Sequence, residues 1–535
     1  MGYNWIMRNN QTHSNFNLDV PFLQLSMNFN VDTIIPEDNK VRLVCNIVER
    51  MDLSSLSSTY SSKGRKPALD PVTFLKVLLF CFSEGIFYTR KIEDFCNYDI
   101  RGRFLLGGRK APDHTTICRF QNMIVDHMQD LLTQFIEILL EEGHVDLKSI
   151  YIDGTKIEAV ANRYTFVWRK SVEKYQTKLK ERMIKELNMP EDSSLLEVIS
   201  KVNMEFNKIR NKCSEMKIQF VYGKGCRKTP QQRSYEYYQN VKEKFETYQK
   251  HLEIMGARNS YSKTDHDATF MRMKDDHMRN GQLKPAYNIQ LATSGAFIVG
   301  VMGSQYANDM YTLKPFLNQM LPSYGKHIEN IVADAGYESA ENYAYLKSRK
   351  LNAYIKPANH ETKKKKKVKE DIGRRENMHY IESEDVYICK AGKKLVRGKD
   401  RIKNTSSGFE DTIRVYTCFE CKDCQYSSQC IKSRRNPNPV KKSISYSPMF
   451  EEYRKESESN LKTNEGINQR LNRSIQAEGA FSKIKDGLGY DRFRHRSMKK
   501  VVADIIMVAM GINLNKLHIK ILNDQTGVIE YKKTA

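Results

Sequence analysis

Ser149-Ile150-Tyr151-Ile152-Asp153-Gly154 and Ile331-Val332-Ala333-Asp334-Ala335-Gly336 are the two stretches that decide the fold. Each is a short apolar, β-type run that ends on an acid and continues into small residues. An acid at the end of a buried strand is held rigidly at the rim of a sheet, and a small neighbour lets a ligand approach. A lone Asp in such a place more often caps a helix or forms a turn, so the signal lies in the repetition and its surroundings. Strand patterns recur at 286–292, 296–302 and 352–356, with helical spacing at 310–320 and 339–350. Several strands, then alternation of strand and helix, predict a mixed α/β layer fold.

The next acid of interest is on a helix. In Ala477-Glu478-Gly479-Ala480-Phe481, Glu478 is set among small and apolar residues, as an inward-facing carboxylate would be. Three carboxylates brought together repel unless cations neutralise them. Hard oxygen ligands select Mg²⁺ or Mn²⁺. Two such ions can activate a water or a 3′-hydroxyl and stabilise the leaving oxygen of a phosphodiester. Other acids stand in weaker settings. Asp265, Asp267, Asp275 and Asp276 fall in a polar loop and read as structural, and Glu158 and Glu338 as surface or supporting groups. His114 and His266 suit hydrogen bonding better than ligation.

Residues 67–141 read as a helical unit. Asp70-Pro71 is a helix start; Phe74, Leu75, Leu78, Leu79 and Phe82 follow at helical spacing, and Gly85 stops the run. Thr89 opens a second helix. Pro112, Asp113 and Thr115 open a long third one, with Ile117, Phe120, Ile124, Met128, Leu131, Leu132, Phe135 and Leu139 on one face. Arg101, Arg103, Arg109, Lys110 and Arg119 cluster around its loop. This is either a helix-turn-helix-like DNA reader or a plain bundle with solvated basic loops. Residues 168–256 are charged and helical, and the stripe Tyr238, Val241, Phe245, Tyr248, Leu252, Met255 predicts a coiled-coil-like hairpin packed within one subunit.

Lys and Arg total 87 against 64 Asp and Glu, a net charge of +23. That excess predicts polyanionic partners. The 1–30 stretch is Asn-rich and lacks the apolar core of an export signal. The strongest apolar run, 501–512, is short and contains Asp504, so a buried helix is expected there. Eleven Cys, an odd number with six scattered, argue against a disulfide framework and for a reducing cytoplasm. The rest concentrate: Cys418, Cys421, Cys424 and Cys430 are spaced C-x2-C-x2-C-x5-C, with Cys389 upstream. Such thiolates can close a tetrahedral zinc site; the alternatives are reduced thiols in a small subdomain or a decayed site. The lysine run 363–367 is either a DNA-backbone strip or a solvated loop.

Several of these motifs, in this order, resemble bacterial insertion-sequence transposases of the Asp-Asp-Glu (DDE) type. They are Pro67-Ala68-Leu69-Asp70-Pro71, Pro112-Asp113-His114-Thr115-Thr116, Tyr151-Ile152-Asp153-Gly154-Thr155-Lys156, Lys284-Pro285-Ala286-Tyr287-Asn288-Ile289-Gln290, Val332-Ala333-Asp334-Ala335-Gly336-Tyr337, and Asn472-Arg473-Ser474-Ile475-Gln476-Ala477-Glu478. The branch that they resemble is the insertion-sequence family numbered eleven-eighty-two, over about residues 67–517. The resemblance implies an RNase H-like catalytic core. It makes Asp153, Asp334 and Glu478 the catalytic and metal-binding trio, two Mg²⁺ or Mn²⁺ ions the cofactors, and double-stranded DNA, as terminal repeats and target, the substrate. It also implies self-association on DNA and a bacterial cytoplasmic, nucleoid-associated setting. Related transposases carry a Tyr, Arg, Glu, Lys signature around the last acid. Lys485 fits; Arg473 is five rather than four positions before Glu478, Ser474 takes the expected Arg position, and Leu471 that of the Tyr.

The chain divides, on this reading, into a polar segment 1–66, a helical DNA-binding domain 67–145, and the first part of the catalytic domain at 146–357, with the coiled-coil-like insertion at 168–256. A basic, Cys-rich insertion at 358–460, closing helices at 461–520 and a tail at 521–535 follow. Arg101, Arg103, Lys110, Arg119, Arg473, Lys485, Arg492 and Arg494 are the candidate phosphate contacts. The expected activity is cleavage of the element's ends and their transfer to a target. The alternatives are a nuclease that does not rejoin and an inactive DNA-binding descendant.

Overall fold

Local capping and apolar spacing set the first helices. The computed structural model describes residues 31–58, 67–273, 281–405, 407–432 and 440–525. Asp275 and Asp276 lie outside them. The part of the expected polar segment that is described is helical: α1 (Lys40–Glu49) buries Val41, Val44, Ile47 and Val48. In α2 (Pro71–Ser83) the Asp70 carboxylate accepts from the Thr73 N–H, as the cap-and-proline pattern predicts. α3 (Thr89–Tyr98) and α4 (Ile100–Leu106) follow. The single long third helix does not form. A 3-10 turn at Ile124–His127 divides it into α5 (His114–Met123) and α6 (Met128–Glu141), and the tighter turn keeps both Ile124 and Met128 buried.

β1 (Ser149–Glu158) runs five residues past Asp153. The insertion after it holds three helices, not a two-helix hairpin: α7 (Arg169–Glu186), α8 (Leu195–Glu215) and α9 (Pro230–Met255). Its additional helix starts at a capping box, Ser194 with Glu197. The three pack within the chain around Leu179, Met183, Val198, Val202, Val241 and Phe245.

The main sheet then completes with β2 (Thr269–Arg272), β3 (Leu283–Ser294), β4 (Phe297–Ser304), β5 (Asn330–Ala333) and β6 (Asn352–Ile355). β3 pairs antiparallel with β1 on one side and with β2 and β4 on the other, while β5 and β6 run parallel to β1. The β3–β4 turn has positive φ at both Gly295 and Ala296, as a type I′ hairpin needs. α10 (Leu313–Tyr324) and α11 (Ala340–Ser348) connect the parallel strands.

A second six-stranded sheet occupies the basic insertion: β7 (His379–Ile381), β8 (Val386–Ile388), β9 (Lys394–Arg397), β10 (Arg401–Asn404), β11 (Glu410–Cys418) and β12 (Lys442–Tyr446). The chain then returns to the main body through α12 (Pro448–Asn460), whose Ser457 hydroxyl meets both backbone groups of Ile355. α13 (Asn464–Arg473) leads into a π-helical turn, Ser474–Glu478, then a short α-turn and a second π segment, Lys483–Gly487.

The last described helix, α14 (Met498–Leu522), is long and apolar enough to cross a membrane by composition, yet 67% of that window is buried inside the fold. Asn513 pairs with both backbone groups of Ile298 on β4, and Asn515 donates to the Ser83 carbonyl of α2. At Gly511 a Cβ would stand 2.9 Å from the α2 backbone, so glycine permits the close crossing. One hydrophobic core therefore runs from Ile35 through both helical and sheet elements to Leu517.

Candidate active site

Register brings the two strand-borne acids together. β1 and β5 are parallel, and their last pair is Ile152 with Ala333. Asp153 and Asp334 are each the next residue, on adjacent central strands spaced about 4.8 Å apart. β1 continues past Asp153 because β3 pairs it to Glu158, so Asp153 is mid-strand and only Asp334 ends one. Asp153 is 8% exposed and accepts from the Gly154 N–H at 2.9 Å. Asp334 accepts from the Gly336 N–H at 2.8 Å and caps a 3-10 turn through Tyr337.

Glu478 reaches the same neighbourhood through Arg473. Its carboxylate accepts from Arg473 Nη2 at 3.1 Å, and Arg473 Nη1 is 4.0 Å from Asp153 Oδ2. The five-residue spacing that departs from the expected signature is thereby resolved. A π turn closes i→i+5, so the extra residue is absorbed and Arg473 meets Glu478 on one face. The Gln476 side chain of this turn accepts from the Ala296 N–H at 2.8 Å, fixing the π segment to the β3–β4 hairpin. Lys485 is half-buried in the second π segment. Beside Asp334 an open groove is lined by Lys356, Arg470, Leu471 and Arg473; the first two are cations that the sequence did not single out.

A buried polar network lies under the acids. Tyr337, fully buried, donates to Gln290 Oε1; burial first, then the charges of Asp309, Asp153 and Asp334, push its hydroxyl well above the ordinary range. Gln290 Nε2 and Asn288 Nδ2 donate to Asp309 Oδ1 at 3.0 and 2.7 Å. Sequence reading missed Asp309, because an Asp opening a short helical turn looks like a cap.

The remaining acids are occupied elsewhere. Glu158 is buried, not at the surface, with Arg163 bidentate at 2.7 and 2.8 Å and Lys284 and Arg492 within 4 Å. Glu338 is equally enclosed and holds Arg454. Asp265 accepts from Tyr287, and Asp267 from the Met498 N–H.

The candidate phosphate contacts divide. Lys110 and Arg119 are exposed. Arg101 is matched by Asp99 and Glu84, Arg103 donates to the Asn97 carbonyl, and Arg109 pairs with Asp70. Arg492 is tied to Glu158, and Arg494 is enclosed by the rings of Phe87, Tyr88 and Tyr490 at 4.5–4.8 Å, a packing role rather than an open cation. His114 bonds Glu93.

Cys389, Cys418, Cys421, Cys424 and Cys430 line one small cavity in the second sheet. Burial, with Cys418 beside it, pushes the Cys421 thiol up to about 11, and burial also raises Cys430. As placed, no three His, Cys, Asp or Glu side chains among the described residues converge closely enough to hold an ion. The donor chemistry of the acid site nonetheless fits a hard divalent cation: its candidate donors are carboxylate oxygens, and a guanidinium lies between two of them. The Glu478 side chain does not face inward as its small and apolar neighbours predict: it is 57% exposed, because Arg473 holds it at the surface beside Asp153, and it has room to swing.

Two family models match the chain. Residues 29–123 match one described as a transposase domain, and residues 388–518 match one described as a transposase DDE domain. Two separate segments of the chain, neither as much as half of it, thus resemble transposase domains, the later one of the DDE type. The DDE match takes in Glu478 and the five cysteines of the cavity, while Asp153 and Asp334 precede it. A DDE domain implies an RNase H-like fold, divalent metal ions and DNA as the molecule acted on. No curated protein and no solved structure matches the chain.

Proposed function

We propose that this chain is the DNA transposase of an insertion sequence, with an RNase H-like core made by the main sheet and Asp153, Asp334 and Glu478 as its catalytic acids. The observation that carries the reading is the register. Asp153 and Asp334 each follow the last parallel pair of adjacent strands, and the π turn sets Glu478 against Arg473, which also faces Asp153. Two divalent cations held there would supply an activated nucleophile and charge neutralisation at the phosphodiester.

The protein's own part is to orient and to hold charge. β1 and β5 fix two acids rigidly, and the π helix presents the third on a side chain with room to move. Arg473 neutralises the acids before DNA arrives and then becomes a phosphate contact on swinging outward. Lys356 and Arg470 in the adjoining groove, with Lys485, Lys110 and Arg119, offer further phosphate contacts. A tetrahedral zinc in the cysteine-lined cavity, separate from the acids, would hold the second sheet. Labelled element ends incubated with the protein and Mg²⁺ test the reading. Nicked and joined products are expected; nicks alone would make it a nuclease, and binding without either an inactive DNA-binding relative.

A further inference from the structure

Asp309 opens the short turn Asp309–Tyr311 after β4, and it has no part in the trio. Its surroundings are specific. Gln290 and Asn288, at most 1% exposed, both aim their amide N–H groups at Asp309 Oδ1. With its nitrogen so engaged, Gln290 turns its oxygen to the Tyr337 hydroxyl, and Tyr337 closes the turn that Asp334 caps. On its other side Gln290 is the register partner of Gly154, the residue after Asp153.

Gly154 makes room for this arrangement, and Gly336 lies within ordinary contact of it. A Cβ on Gly154 would collide with the Gln290 amide and stand 2.8 Å from Asp309 Oδ1, and one on Gly336 would stand 3.5 Å from Asp309 Oδ2. The Asp309 carboxylate therefore sits between the Asp153–Gly154 stretch of β1 and the turn capped by Asp334, linked to the first by contact and to the second through Gln290 and Tyr337. Its charge adds to the negative field that Asp153 and Asp334 present, while its hydrogen bonds fix the geometry in which they present it.

We infer that Asp309 is a positioning residue for divalent-cation binding at Asp153 and Asp334, acting through Gln290 and Tyr337. This rests on the reading of those two acids as metal ligands. The test is titration of the full chain with Mn²⁺ alone, following free Mn²⁺ by electron paramagnetic resonance, with no DNA and no turnover. Asp309→Asn keeps an acceptor but removes the charge. It is expected to weaken Mn²⁺ binding roughly ten- to hundredfold, as loss of an outer partner of a metal ligand does. Tyr337→Phe leaves the charge and cuts the link to the Asp334 turn, and should weaken binding about threefold to tenfold.

A purely structural role would lower the unfolding midpoint and leave the affinity of the folded protein unchanged. Wild-type affinity in both folded variants overturns the inference; if Asp309→Asn does not fold, wild-type affinity in Tyr337→Phe alone overturns it. Should the wild type bind no Mn²⁺, or Asp153→Ala bind it equally well, the metal reading itself fails and the inference falls with it.

Discussion

The two six-stranded sheets differ in what holds them. In the main sheet, β1, β3, β4 and β5 are almost wholly buried in a core that spans the chain. In the second, β10 is exposed at every residue, and the core is Met378, Tyr387, Leu395, Tyr416, Cys418 and Ile444. Where apolar burial fixes the backbone, the polar side chains on the strands are available for chemistry, and Asp153, Asn288 and Gln290 gather at one place. Where burial is small, polar groups are used to hold the strands. Asp385 binds Tyr380, Tyr416 and Arg397, and five sulfurs crowd one cavity.

The largest expected effect tests the first half of that contrast. Asp153→Ala, Asp334→Ala and Glu478→Ala should each cut end cleavage and joining about a thousandfold or more while leaving end binding intact, without adding when combined. A single variant that cleaves normally removes its residue from the site.

Next comes stability. Ile331→Ala, at a fully buried position of β5, should lower whole-chain stability by about 2–5 kcal/mol. Leu395→Ala, equally buried in the small core, should loosen only the second sheet, seen as protease cuts near residues 379–446 with the main thermal transition unmoved. If both variants shift the main transition equally, the two sheets are one cooperative unit.

Third, purified reduced protein should carry about one zinc per chain, and Cys421→Ser should lose it and expose residues 385–435 to protease. Zinc-free protein on elemental analysis would leave the second sheet standing on its small core alone.

The smallest effects come from pH: stability rises with pH in both regions, in the acid range for the second sheet and in the alkaline range for the main fold. Tyr416, Tyr380 and Arg397 hold the Asp385 carboxyl down to about 2, so its contribution is present above its ordinary range and is lost as pH falls from about 4 towards 2. Burial, with Lys516 nearby, brings Lys520 down to about 8. The unfolded chain then holds more protons than the folded one above that value, so this group makes the main fold more stable as pH rises from 8 towards 10. Lys520→Met should remove that rise, and Asp385→Asn should flatten the acid limb; unfolding midpoints across pH would show both.

Much of the main sheet was legible because its signals are local. The apolar runs before Asp153 and Asp334, the caps at Asp70 and Asp113 and the strand–helix alternation after residue 283 each depend on near neighbours. The unforeseen features are those that tertiary contact decides. The break at Ile124 carries no Gly or Pro to announce it. The π turn is invisible to a 3.6-residue repeat, so Arg473 looks misplaced by one residue when it is in contact with Glu478. Asp309 gains its meaning only from Gln290 and Asn288, about twenty positions earlier. The second sheet's exposed strands lack the apolar alternation that marks a half-buried strand. Charge counting overstated Arg492 and Arg494, since sequence shows the cation but not the carboxylate or rings that enclose it.

The crossing of α14 with α2 and β4 constrains the order in which the chain can fold. The faces that α14 covers belong to elements made hundreds of residues earlier, and they remain uncovered until α14 itself has been made. Domain-by-domain folding during translation is therefore closed to the main body, and contacts of such long sequence separation form slowly. Ribosome-bound or prematurely terminated chains that lack Met498–Leu522 should expose those apolar faces and engage chaperones. For the same reason a fragment starting near residue 145 should aggregate rather than behave as an independent catalytic unit.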